Sequence, residues 1–132
     1  MNIIYEGFFV LDTLSSNLEK DIEFKHITTE FKPAKTHEYL YGTEATFVVT
    51  GYGNDSVNEG YKVQLVSCDS DELVELYRNI LLPHITLSVS KEGKPVNTKN
   101  LTFIDSSSLT IRTKFGGYIG KPIFDKELIS ND

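Results

Sequence analysis

Two matching tripeptides hold the residues best suited to chemistry in this sequence, His26-Ile27-Thr28 and His84-Ile85-Thr86. Along an extended strand successive side chains point to opposite faces, so each His shares a face with the Thr two positions on, and the isoleucine between them faces the other way. By that alternation His84, Thr86, Ser88 and Ser90 fall on one face, opposite Ile85, Leu87 and Val89. In the earlier copy His26, Thr28 and Glu30 oppose Ile27 and Phe31. Each strand thus offers an isoleucine to a core and a polar pair to something else. Imidazole titrates near neutrality. If two histidines meet, a neutral ring can take a proton from a nucleophile while a protonated one delivers a proton to a leaving oxygen. A threonine hydroxyl beside each can donate to a phosphate oxygen held between them, a contact that strengthens as charge develops. Two histidines and two hydroxyls are sufficient for cleaving a phosphodiester without a metal.

The elements that must position these pairs are mostly strands. Asn2 to Leu11, rich in β-branched and aromatic residues, reads as the first, and Asp12 to Ile22 as a turn leading into a short helix. Glu23 to Phe31 carries the first pair, and a loop containing Pro33 runs on through Gly42. Thr46 to Gly53 and Tyr61 to Ser67 form two strands joined by a turn of Asn, Asp, Ser and Gly composition. Ser70 to Leu82 is the clearest helix, with Leu73, Leu76, Tyr77 and Ile80 on one stripe, acidic residues in its first turn, and Asp69 or Ser70 as N-cap. Pro83 stops it, and His84 to Ser90 follows as the second motif strand. Later strands are expected over Leu101–Ile104, Leu109–Lys114 and Tyr118–Phe124, broken by serines and by Gly116-Gly117. This is a single α+β domain over residues 1–132, dominated by antiparallel strands with one or two helices, with a frayed tail at 126–132. A helix candidate leads into each motif strand, and a Lys-Pro follows each, at Lys32-Pro33 and Lys94-Pro95. The two halves therefore share an architecture without sharing a sequence.

Composition limits the partners. A chain of 132 residues can bury a core without staples, and its formal net charge of −6 argues against gripping a long nucleic-acid backbone. A small anionic ligand in a locally positive pocket is compatible with that balance. The N-terminal apolar run is interrupted by Glu6 and Asp12, lacks a basic leader and is too short for a membrane span, so a cytoplasmic protein without membrane partners is expected. Cys68 has no cysteine partner and reads as a packing residue. The third histidine, His37, lies in a polar stretch and reads as solvated. The spacing of the histidines fits no zinc site, and no cofactor is expected.

The paired motifs resemble those of the two-histidine (2H) phosphoesterases, which carry two His-hydrophobic-Thr-hydrophobic motifs on strands of two pseudo-symmetric lobes flanking a cleft. The similarity is closest to the branch that includes the phosphodiesterase domain of fungal tRNA ligase and the Swiss army knife RNA-repair-like proteins. His84 to Leu87 fits the pattern fully; His26 to Thr29 departs at its last position, where Thr29 should face away from the site. The resemblance spans about residues 1–125. It implies a bilobal α+β fold with a central cleft, no metal cofactor, and cleavage of phosphodiesters in small nucleotides or short RNA ends. It makes His26 and His84 the acid–base pair and Thr28 and Thr86 the phosphate-binding hydroxyls.

Around these, Lys32 and Lys94 are candidate substrate contacts that would offset the acidic background. Tyr5 is the aromatic expected beside the site, because the first strand of the 2H fold borders its cleft, whereas Phe9, Tyr118 and Phe124 read as core. The expected activity is hydrolysis of a cyclic phosphodiester, either a 2′,3′-cyclic phosphate or a cyclic-nucleotide signal. The compact, lysine-biased chain would suit a phage enzyme that destroys a host alarm nucleotide in the host cytoplasm. RNA-end repair is the competing enzymatic reading. A protein that sequesters a nucleotide or contacts another protein without cleavage is the alternative from a different class. The sequence leaves the oligomeric state open.

Overall fold

The computed structural model describes residues 2–106 and 109–125; the expected frayed tail at 126–132 lies outside them. Among the described residues nine strands are formed: β1 (Tyr5–Val10), β2 (Lys20–Asp21), β3 (His26–Phe31), β4 (Glu44–Asn54), β5 (Asn58–Cys68), β6 (His84–Val89), β7 (Ile104–Asp105), β8 (Thr110–Tyr118) and β9 (Pro122–Ile123). One α-helix, α1 (Asp71–Arg78), and two 3₁₀ segments, Glu38–Leu40 and Pro95–Asn100, complete the described fold. All the strand pairings are antiparallel, in the order β2-β6-β5-β4-β8-β1-β3, with β7 on β4 and β9 on β8. The chain is α+β, with one open sheet. β3 ends that sheet and β6 lies near its opposite end, yet both border one pocket, so the sheet curls until they approach.

Apolar alternation explains what lies inside. Phe8, Phe47 and Phe115 are fully buried and meet edge to face, with centroids 5.1 and 5.5 Å apart about Phe8. Each such side chain contributes about 1.5–3 kcal/mol by leaving water. Ile27 and Ile85, the central residues of the two motifs, belong to the same core. Cys68 packs against its margin. The α1 helix buries Leu73 and is capped by Ser70, whose hydroxyl accepts from the Leu73 N–H at 3.2 Å. It ends at Arg78, short of the expected Leu82, in a turn where Asn79 N–H donates to the Leu76 carbonyl and Leu81 is fully exposed. Pro83 also disfavours helical geometry just before it.

Three other expectations change. The segment Asp12–Ile22 forms no helix, because the sheet takes its backbone donors: Asn17 N–H goes to Glu59 at 2.8 Å, Leu18 N–H to the Ser88 hydroxyl at 3.1 Å, and Ile22 N–H to the Leu87 carbonyl at 3.1 Å. The strand expected at Leu101–Ile104 contracts to β7, preceded by the 3₁₀ segment with Pro95 at its first position. Gly116 and Gly117 lie inside β8 and do not break it. A side chain at Gly116 would strike the Ile123 carbonyl and the Phe124 ring, and one at Gly117 the Tyr41 ring.

The two motif strands sit in matched surroundings. Gly7 of β1 lies opposite Thr28 and Phe9 opposite His26; Gly60 of β5 lies opposite Thr86 and Lys62 opposite His84. A buried glutamate precedes each glycine, Glu6 and Glu59. In each pair the residue after the motif threonine, Thr29 or Leu87, has no partner in that ladder and forms a β-bulge. The bulge reverses the alternation beyond it. Phe31 therefore joins the face of His26 and Thr28, pairing with Tyr5, while Glu30 turns to the face of Glu6. Likewise Ser88 leaves the Thr86 face, pairing with Glu59, and Val89 replaces it. Both outcomes correct strict alternation.

Candidate active site

His26, Thr28, His84 and Thr86 line one pocket of about 630 Å³, within the size range of small-ligand sites. The two tripeptides, far apart in the chain, are brought together. Each sits where the ladder gives out: β3 is a terminal strand, and β2 pairs only with the Val89–Ser88 end of β6.

Each imidazole is fixed by the backbone behind it. His26 Nδ1–H donates to the Phe24 carbonyl at 2.8 Å, and His84 Nδ1–H donates to the Leu82 carbonyl at 2.7 Å. A carbonyl can only accept, so both neutral rings carry their proton on Nδ1 and keep Nε2 as the basic nitrogen. Tyr5 stacks on His26 with centroids 4.4 Å apart and places its hydroxyl 3.1 Å from Nδ1; Tyr118 stacks on Tyr5 at 4.8 Å. Burial holds the His26 imidazole below the ordinary histidine value. The Phe24 carbonyl opposes that shift, and the nearby His84 adds to it. Burial likewise pushes the Tyr5 phenol well up, so it stays a neutral hydroxyl.

The threonines are supported differently. Thr86 Oγ1 lies 2.8 Å from Thr98 Oγ1 and 3.3 Å from the Pro95 carbonyl. Thr98 is wholly buried and accepts from Asn58 Nδ2 at 3.1 Å, and the same amide donates to the Lys94 carbonyl at 2.7 Å. The Thr28 hydroxyl has no hydrogen-bond partner among the described residues, although the residue itself is paired with Gly7 in the β1–β3 ladder.

Of the other expected contacts, Tyr5 lines the pocket, whereas Lys32 and Lys94 do not. The Lys32 ammonium lies 5.6 Å from the centroid of the Phe31 ring, and Lys94 stands at the N-cap position of the 3₁₀ segment without a side-chain cap hydrogen bond. The lysine in the lining is Lys99, accompanied by Glu23 and by the apolar walls Phe24, Phe31, Tyr118, Pro95 and Val96. Phe31 and Val96 are more than half exposed at its margin. Sequence reasoning missed most of these. Phe31 is re-aimed by the bulge, and the stretch from Lys94 to Asn100 has no periodicity to announce a wall. Tyr118, a strand aromatic that the sequence reads as core, stands in the lining and stacks on Tyr5.

Behind the pocket, both glutamates anchor irregular chain. Glu6 accepts from His37 N–H at 2.7 Å, His37 Nδ1 at 2.9 Å and the Tyr41 hydroxyl at 2.8 Å. His37 is therefore tied to a buried carboxylate and is not a solvated residue. Glu59 accepts from both nitrogens of Asn17 and from the Ser88 and Tyr52 hydroxyls. Burial pushes the Glu59 carboxyl up, but these donors together outweigh it and hold the group below the ordinary range.

No group of three His, Cys, Asp or Glu side chains among the described residues is arranged to ligate a metal. No helix among them is long and apolar enough to cross a membrane. No family model matches the chain, and no curated protein matches it.

Proposed function

We propose that this protein is a metal-independent phosphodiesterase of the two-histidine type that hydrolyses a cyclic phosphodiester in a small nucleotide. The observation that carries this reading is the meeting of both His-x-Thr pairs in one pocket, each imidazole holding its Nδ1 proton on a backbone carbonyl. Two Nε2 atoms are thereby left for proton transfer.

His26, kept neutral by burial beside His84, is the general base: its Nε2 takes a proton from water as the water oxygen bonds to phosphorus. His84, protonated, delivers its Nε2 proton to the departing ribose oxygen as the P–O bond breaks. Thr28 and Thr86 donate to the non-bridging oxygens, where negative charge accumulates. The product is a phosphomonoester with a free ribose hydroxyl, and the pair is left with its proton exchanged. A pocket of about 630 Å³ walled by rings and one lysine favours a small nucleotide over a long strand. A terminal 2′,3′-cyclic phosphate on a short RNA presents the same reacting group and is the competing substrate.

The test is incubation in EDTA with nucleoside 2′,3′-cyclic phosphates, 3′,5′-cyclic mononucleotides, cyclic di- and trinucleotides, 2′,5′-linked adenylates and a short RNA ending in a cyclic phosphate. Wild type and His84→Ala are compared by chromatography and mass. Cleavage by the wild type alone is expected. Recovery of every compound intact would overturn the hydrolase reading and leave a nucleotide-binding protein.

A further inference from the structure

We infer that Thr98, held by Asn58, is a positioning residue that sets the direction of the Thr86 hydroxyl proton toward bound phosphate. The inference rests on the phosphodiesterase reading and adds residues to it. A hydroxyl has one proton, and the Thr86 proton has Thr98 Oγ1 and the Pro95 carbonyl within reach. A phosphoryl oxygen seated against Thr86 must draw that proton to itself. The 2.8 Å contact between the two hydroxyls then survives only if Thr98 becomes the donor. Thr98 can do so because its oxygen already accepts from the Asn58 amide, which leaves its own proton free to turn. The chain Asn58 N–H, Thr98 O–H, Thr86 O–H, phosphate satisfies every donor in one direction, and each bond polarises the next.

The surroundings fix this chain. Thr98 has no exposure, so no water competes for it. A side chain at Gly60 would collide with the Thr98 methyl and stand 2.6 Å from the Ile85 carbonyl; the absent Cβ is what lets Thr98 reach Thr86. Asn58 also grips the Lys94 carbonyl, which fixes the start of the 3₁₀ segment that carries Thr98.

The experiment uses the cyclic nucleotide that the wild type hydrolyses fastest and compares Thr98→Val, Thr98→Ser, Thr86→Val and the double Thr86→Val/Thr98→Val protein, with thermal melting as a folding control. Valine keeps the shape and removes the hydroxyl. Thr98→Val is expected to lower kcat about tenfold with little change in KM, less than the ~10²-fold or more lost with a direct oxyanion donor. Serine at this position should recover most of the loss. In the Thr86→Val background the second change should cost nothing further, because the group it positions is gone. A structural role would instead make the two losses multiply. Unchanged kcat in Thr98→Val, or multiplying losses, would overturn this inference while leaving the phosphodiesterase reading intact. If Thr98→Val does not fold, serine at 98 decides: a loss as large as that of Thr86→Val would overturn the inference, and near-wild-type kcat would support it. A wild type that hydrolyses nothing would remove both.

Discussion

The strand pair β1–β3 and the strand pair β5–β6 have the same register, the same glycine opposite the motif threonine, the same buried glutamate before it and the same bulge after it, yet they support different atoms. In the first, the residue before the glutamate is Tyr5, and it works on the histidine, covering the His26 ring and reaching its Nδ1. In the second that position is Asn58, and it works on the threonine, through Thr98 to Thr86. Thr28 has no such backing, and His84 has no stacked tyrosine among the described contacts. Similar frames thus differ by one residue each, Tyr5 covering the His26 ring and Asn58 backing Thr86 through Thr98.

The largest effect should come from the part the halves share. His26→Ala and His84→Ala are each expected to lower kcat by about 10²–10⁴-fold, with far-ultraviolet circular dichroism unchanged. Activity retained in either would break the equivalence of the halves. Next, Thr86→Val should cost more than Thr28→Val, about 10²-fold against about tenfold in kcat. Equal losses would show that the Asn58 support does not distinguish them. Gly7→Ala and Gly60→Ala test the frame itself. The added Cβ would strike the Ile27 carbonyl in one and the Thr98 methyl and Ile85 carbonyl in the other. Each should destabilise by about 1–3 kcal/mol in urea unfolding, and a neutral result at either would sink the close-approach argument there. The smallest effect is on pH dependence. An imidazole with its folded pKa below the ordinary 6.5 binds a proton more readily once unfolded, so its share of stability holds above 6.5 and declines as pH falls beneath it. That decline should vanish in His26→Asn and persist in His84→Asn; urea midpoints taken from pH 7 to pH 5 would decide.

The strands, the helix over Leu73 and the His-x-Thr pairs were legible because they rest on local pattern: alternation, a stripe at helical spacing, a cap and a proline stop. What the pattern hid was decided by distant partners. Asp12–Ile22 has the look of a helix approach, but Glu59 and Ser88, far along the chain, take its N–H groups. His37 sits among polar neighbours in sequence and against Glu6 in space. Strict alternation misassigned Glu30, Phe31, Ser88 and Val89 because a single unpaired residue inverts every face after it. The Glu-Gly pair before each motif was readable as a repeated signal at Glu6-Gly7 and Glu59-Gly60, but it also occurs at Glu92-Gly93 outside any strand, so by itself it selects nothing.

The placement of both motifs where the backbone ladder stops has a mechanical consequence. Along His26–Thr28 and His84–Thr86 one flank of each strand has no neighbouring strand among the described residues, and the two flanks approach without joining. A phosphate gripped from both sides would act as a rivet across that seam, carrying load that elsewhere in the sheet passes through amide bonds. Amide hydrogen exchange along β3 and β6 should then slow when the pocket is filled, while exchange in the β4–β5 hairpin, already closed by its own ladder, should barely change.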